Sequence, residues 1–378
     1  MRKIKKKLQN LFKSFFYKIY TIIYGNIVGK INYDEDDRIQ IDIVEKNKSL
    51  KYKIYKIKNA RLYTDTIHDA AVILNNSIVD GPSYQLRKFG PPGHETVNNA
   101  PIEENIVFNK GTPRIKKKIK GKVLSLLTGG AGNDNYWHWI FDVLPRIALC
   151  EKILNLNELD FFLLPSLEKK FQRETLELLN IPKSKCISSK FFRHISSNEM
   201  IVTEHPYLIT NDGSNDIQNI PIWIFEWLKK KYIKSDLIQN TSLPKKIYID
   251  RSDSSSNTRN LRLIINESEV KSFLIDNGFK SIALGNLHFK EQVELFNNAE
   301  FIIGLHGGGF SNLSFCKKNT KVLELKNTTD EKVIENLALN NDLIYKSIKS
   351  EAVKFKFAQF GHINVSINSL KKEIDNFG

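Results

Sequence analysis

The chain has 378 residues, 41% hydrophobic and 26% charged, which excludes a disordered or fibrous protein and leaves room for two globular domains. A net charge of +15 points to an anionic partner such as phosphate, an acidic glycan or an anionic membrane face, or equally to solvated lysines in a compositionally biased chain. The three cysteines, Cys150, Cys186 and Cys316, lie far apart with no CxxC or Cys/His ligand spacing, which excludes a disulfide framework and a structural zinc site and fits a reducing compartment.

In chain order, residues 1–30 come first. Ile4, Leu8, Leu11, Phe12, Phe15, Ile19 and Ile22 recur at helical spacing among Lys5, Lys6, Lys7, Lys13 and Lys18. The run is too interrupted to span a bilayer, and no small-residue cleavage site follows. It reads as a basic amphipathic helix on an anionic membrane, placing the protein in the cytoplasm on the inner face of the cell membrane. Residues 31–115 are β-rich, with period-two alternation in IQIDIV and KYKIYKI. The triplet DED at Asp34–Asp36 has no apolar strand before it and reads as a solvated turn.

The rhythm then changes to β/α alternation. KVLSLLTGG is a strand and turn, NDNYWHWIFDVLPRIALCEKIL a helix, LDFFLLP a strand, LEKKFQRETLELLN a helix and MIVTEH a strand. A polar linker at Asn240–Pro244 closes a first domain over 31–240. From KIYIDR the alternation restarts, through NESEVKSFLIDNG, KSIAL, FKEQVELFNNA, FIIGL, KVLEL, DEKVIENLALNN and LIYKSI. A second domain therefore covers 241–350, and SINSLKKEIDN in 351–378 is a closing helix packing back. The fold class is α/β, with two Rossmann-like domains facing a cleft and a β-rich N-terminal extension. Such open sheets place ligands beyond the carboxyl ends of their strands.

Two motifs carry chemistry. In FIIGLHGGGFSN, residues 301–312, a buried strand runs into His306, Gly307, Gly308 and Gly309 and then a short helix. Glycines let backbone N–H groups approach an anion, and the helix start adds positive potential. No G-x-S-x-G, G-x-G-x-x-G or G-x-x-x-x-G-K-[ST] occurs, so the esterase, dinucleotide and P-loop readings fail. Arg251 follows the strand KIYID, and Arg259 and Arg262 follow in the loop SDSSSNTRNLR; guanidinium groups match phosphate oxygens in pairs. Glu324, near the end of KVLELK, is placed to accept ribose hydroxyls, or equally to be a solvated strand end.

The second motif is NYWHWIFDVLPR, residues 135–146. On a helical wheel Asn135, His138, Asp142 and Arg146 share a narrow arc inside an apolar sleeve. His138 and Asp142 stand at i and i+4, as an acid–imidazole pair able to take a proton from an alcohol, or as a satisfied internal polar network. Pro145 is expected to kink or end the helix.

Together NYWHWIFDVLPR, RSDSSSNTRNLRLIINESEV, GFKSIALGNLHFKEQVELFNNAEFIIGLHGGGFSN and KVLEL resemble glycosyltransferase family 61, over residues 122–326. The resemblance implies a GT-B architecture and an inverting, metal-independent transfer from a nucleotide sugar, with no further cofactor. It implies Asp142 or His138 as the base, and Arg251, Arg262 or Arg259, His306, Gly307, Gly308, Gly309, Asn312 and Glu324 around the nucleotide sugar, with Asn135 and Arg146 on the acceptor side. Arg262 fits the family's second arginine better than Arg259. The acceptor implied is a hydroxyl of a capsular or lipopolysaccharide-type glycan, free or lipid-linked. A protein O-glycosyltransferase and a non-catalytic nucleotide- or glycan-binding protein are the alternatives; no nucleic-acid module is present.

Overall fold

The computed structural model describes residues 14–65, 69–85, 100–127, 135–210, 212–233, 242–254, 261–357 and 360–377. The fold is mixed α/β and divides into two compact units. One comprises Met1–Arg173 and Asn180–Asp216, the other Glu174–Leu179 and Ile217–Gly378. The helix Ile222–Tyr232, which precedes the polar linker at Asn240–Pro244, lies in the second unit.

In the first unit, four parallel strands run in the order Cys186–Ser188, Phe161–Leu164, Lys122–Ser125, Glu199–Thr203. The hairpin Ile39–Glu45/Lys51–Lys58 then continues the same sheet antiparallel. The β-rich N-terminal segment is thus built into this sheet rather than appended to it. A second, mostly antiparallel sheet includes Arg61–Tyr63, Asp69–Leu74 and His194–Ser196. One core joins Leu62 and Val72 of that sheet to Ile57, Val123, Leu163 and Met200 of the first. A sheet-on-sheet core is a feature that the Rossmann-like expectation for this half did not include. The physical reason is visible in Asp69–Leu74, whose six residues are all buried and need partners on both faces.

The second unit carries a wholly parallel five-stranded sheet: Lys280–Ala283, Lys246–Asp250, Phe301–Leu305, Lys321–Asn327, Ile344–Ser350. In chain order this is 2-1-3-4-5, a doubly wound arrangement whose order reverses between its first and third strands. Residues with no charge and mostly β-branched or aromatic chains fill the central strand Phe301–Leu305, buried throughout. The helix Glu267–Asp276 ends at Gly278, whose φ of 83° gives the chain its left-handed exit. The closing helix Ile367–Phe377 packs on this unit's own sheet, with Phe377 4.8 Å from Phe301. A hairpin of Ala352–Phe357 and Phe360–Ile363 precedes it and had no sequence signal.

His194 illustrates how the first unit is locked. It is fully buried between the rings of Tyr24 and Tyr63, at 4.9 and 5.6 Å. Its Nδ1 donates to the Arg114 carbonyl at 3.1 Å, which leaves Nε2 to accept from Arg61 Nη1 at 3.4 Å. Burial, with Arg61 adding repulsion, lowers its pKa to about 4. From pH about 6.5 down to about 4 the unfolded chain therefore binds a proton here that the folded chain refuses, so folding stability falls as pH falls. Denaturant titrations across that window are expected to show a slope up to about 1.4 kcal/mol per pH unit steeper in the wild type than in His194→Asn. Equal slopes would exclude this role.

Candidate active site

The switch point of the second unit's sheet gathers the residues of the glycine-histidine motif. Arg251 follows the strand Lys246–Asp250, and His306 follows Phe301–Leu305 next to it. Gly304 pairs with Ile249, and a Cβ on Gly304 would stand 3.0 Å from the Ile249 Cβ. A Cβ on Gly309 would meet Ile249 and Leu284 at 3.2 Å. Those two glycines serve packing. Gly307 is different: with φ 157° and ψ −178°, its hypothetical Cβ would lie 3.2 Å from Arg251 Nη1. What approaches the bare backbone there is a guanidinium group.

Arg251 Nη1 and Arg262 Nη1 both donate to the His306 carbonyl oxygen, at 2.9 and 3.1 Å. Arg262 also stacks on the Phe360 ring at 4.9 Å, and its Nε is buried without a hydrogen-bond partner among the described residues. Burial lowers the Arg251 pKa; burial and then neighbouring Arg251 lower that of Arg262 to about 10. Among the described residues no carboxylate stands within ion-pair distance of either arginine. Asp253 and Glu267 act on Arg251, and Glu331 and Glu324 on Arg262, only from beyond ion-pair distance. Two part-buried cations held side by side without a direct ion pair are a site that an anion relieves.

From Gly308 to Phe315 the chain forms the short helix expected after the glycines, of 3₁₀ type. Its N-cap Gly307 has no side chain to satisfy the first N–H groups, and Gly307, Gly308 and Gly309 are half-buried at the same switch point. Asn312 lies deeper: fully buried, it donates from Nδ2 to Gln292 Oε1 at 3.0 Å. Arg259 falls outside the described residues.

His306 is held by a carboxylate. Its Nδ1 meets Glu324 Oε1 in a short contact, while Glu324 Oε2 accepts from the Tyr345 hydroxyl at 2.5 Å and lies 3.8 Å from Lys326 Nζ. Burial alone would raise the Glu324 pKa; His306, Lys326 and the Tyr345 hydroxyl outweigh it, and the net shift is downward. Both carboxylate oxygens are thus engaged inside the protein, where the sequence reading directed them to a ribose. Tyr345 and Lys326 escaped that reading because neither belongs to a motif.

In the first unit the polar stripe sits on a helix that Asn135 caps, its Oδ1 accepting the Trp137 N–H at 2.9 Å. Pro145 was expected to kink or end this helix. Instead the residues Trp139–Val143 form a π-helical turn, in which Leu144 N–H reaches back to Trp139 O, and the helix runs on to Cys150. The wide turn shifts the ladder just ahead of the residue that lacks an N–H. Within it, Asp142 Oδ2 meets His138 Nδ1 at 2.8 Å. Arg146 does not join that pair through its carboxylate. Its Nε donates to the Asp142 backbone carbonyl at 3.2 Å, and its Nη1 to Thr203 O and Oγ1 at 2.8 and 3.1 Å.

The structure adds His205, whose Nε2 lies 3.7 Å from the same Asp142 oxygen. Its Nδ1 accepts from the N–H groups of Tyr207 and Leu208, at 3.3 and 3.1 Å, so a neutral ring carries its proton on Nε2, toward Asp142. Burial keeps it neutral by lowering its pKa. The signal was present in MIVTEH: a titratable residue just past the end of a parallel strand. Burial opposes charge on Asp142, but His138 and His205 outweigh it and hold the carboxyl well below its usual range. Asp142 is sealed, at 1% side-chain exposure, while His138 retains 13%. An orienting carboxylate under a solvent-reachable imidazole can take a proton from a hydroxyl. The DED triplet is a local turn, with Asp36 accepting from Arg38 Nε at 2.8 Å. Among the described residues no group of three or more His, Cys, Asp or Glu is arranged to hold a metal ion.

Residues 136–323 match the family model described as Glycosyltransferase 61. No curated protein matches the chain. The matched segment holds His138, Asp142, His205, Arg251, Arg262 and His306, and stops one residue short of Glu324.

Arg251→Ala is expected to weaken binding of a nucleoside diphosphate by about 1.5–3 kcal/mol, the range of a hydrogen bond to a charged group. Calorimetric titration of both proteins checks this, and equal affinities would remove Arg251 from the anion site.

Proposed function

The chain is a family 61 glycosyltransferase, and from that premise we propose that it transfers a sugar, with inversion, from a nucleotide donor to a hydroxyl of a surface glycan of capsular or lipopolysaccharide type. The observation that carries the reading is the pair of guanidinium groups, without an ion-pair partner among the described residues, that converge on the His306 carbonyl at a parallel-sheet switch point. The reading assigns one half of the chemistry to each unit.

On the donor side, Arg251 and Arg262 meet the negative charge that grows on the diphosphate as its bond to the anomeric carbon breaks. In this reading guanidinium groups, rather than a metal ion, supply that positive charge. The uncapped N–H groups at Gly308 add to it. Glu324 acts as a positioning residue that fixes the His306 ring.

On the acceptor side, the acceptor oxygen attacks the anomeric carbon while its proton passes to His138. The assignment of His138, rather than Asp142, as the base rests on exposure and geometry: Asp142 is sealed and bound to Nδ1, so Nε2 is the ring nitrogen left for the acceptor. Asp142 stabilises the imidazolium that forms, and His205 keeps Asp142 charged and aimed. A single displacement of this kind inverts the anomeric centre.

Two measurements test the reading. Thermal-shift screening against nucleoside diphosphates and nucleotide sugars is expected to raise the melting temperature for one nucleotide class. With the donor so identified, His138→Ala and Asp142→Asn are each expected to lower kcat by at least about 10²-fold with nucleotide affinity intact. Turnover that survives His138→Ala but not Asp142→Asn would transfer the base role to Asp142. Nucleotide binding with no transfer to any glycan acceptor would leave only a binding protein.

A further inference from the structure

Residues 14–24 form a helix with two unlike faces. Inward, Phe16, Tyr20 and Tyr24 recur at four-residue spacing with ring centroids 6.5 and 5.8 Å apart in series. The series ends on the body of the first unit. The Tyr24 ring stands edge-on to buried His194, its hydroxyl accepts the Lys116 N–H at 3.0 Å, and Lys116 Nζ lies 5.2 Å from its centre. Arg61 Nη2 reaches the Tyr24 carbonyl at 3.4 Å, and Gly25 N–H closes on Thr21 O at 2.8 Å. These contacts fix how the helix is rotated about its own axis.

The opposite face is fixed by the same contacts, and it points to solvent. Phe15, Lys18 and Ile22 fall at three- and four-residue spacing, with Phe15 61% and Ile22 84% exposed; Ile23, turned toward the edge of the inner face at the end of the helix, is still 58% exposed. An inner face already filled by aromatic rings leaves the fold no use for Phe15 and Ile22 on the outer face or for Ile23 exposed at its edge. Lys18 stands among them. The thirteen residues before the helix lie outside the described residues, and in sequence they carry Arg2, Lys3, Lys5, Lys6, Lys7 and Lys13 and no acid. Apolar side chains set among cations without acids complement one kind of surface, an anionic lipid headgroup layer over hydrocarbon. No described helix is long and apolar enough to cross a membrane.

We propose that the outer face of helix 14–24 docks the chain on an anionic bilayer, with Phe15, Ile22 and Ile23 entering the acyl boundary and Lys18 at the level of the lipid phosphates. The helix lies in the plane of the surface, and its aromatic ladder holds the first unit against it. The proposal is independent of the transfer chemistry.

The test uses the full chain and co-sedimentation with phosphatidylcholine vesicles, with and without phosphatidylglycerol. The wild type is expected to pellet with the phosphatidylglycerol vesicles and to stay in solution with phosphatidylcholine alone. Ile22→Asp/Ile23→Asp keeps every preceding cation and alters only exposed positions, so its melting temperature is expected to match the wild type while its vesicle partitioning falls at least about tenfold. Failure of the wild type to bind anionic vesicles, or undiminished binding by the variant, overturns the proposal. A wild-type dimer in lipid-free buffer that the variant converts to monomer overturns it as well, since the face would then be a contact between copies.

Discussion

One carbonyl oxygen organises the second unit. The His306 main chain accepts from two guanidinium groups at once, and a carbonyl has two lone pairs with which to do so. This fixes two long, positively charged side chains that would otherwise repel each other and spread into solvent. It also explains the local sequence: Gly307 has no side chain because Arg251 occupies that space, and the strand before His306 carries Gly304 so that it can lie against Ile249. The sheet order then sets the location, because only at the reversal between first and third strands do the loops diverge enough to leave room beyond the strand ends.

Each unit also carries an imidazole braced by a carboxylate, and the two pairs are built differently. His306 belongs to a crowded group with Glu324, Tyr345 and Lys326, in which every carboxylate oxygen is engaged. His138 rests on a single oxygen of Asp142, shared at longer range with His205, and the other oxygen is buried without a hydrogen-bond partner among the described residues. A fully engaged group holds a ring still. A partly engaged one keeps the capacity to stabilise a changing charge, as the base role proposed for His138 requires.

Most of the strands and helices of the second unit were legible in sequence, because parallel strands there are short apolar runs and helices carry a 3.6-residue period. FIIGL is a strand over the residues expected, and Gly278 ends its helix as read. The pairing of His138 with Asp142 was legible too, since four residues along a helix is a contact distance. Other features had no local signal. The π-helical turn ahead of Pro145 depends on how the whole helix is packed, and a wheel drawn at 100° per residue cannot show it. The sheet-on-sheet core of the first unit depends on strands far apart in sequence, as does the approach of His205 to Asp142. Glu324 was located on its strand, but spacing says nothing of Tyr345, which reaches it from the next strand.

The Phe360 ring under Arg262 gives the C-terminal hairpin a part in a site whose sequence motifs do not include it. Glu324, Lys326, Tyr345 and Phe360 all lie past residue 323, where the recognised domain stops. An expression clone trimmed to that domain would keep both arginines and the imidazole yet discard the Glu324 carboxylate against His306 and the Phe360 ring against Arg262, leaving the motif without the supports it has in the full chain.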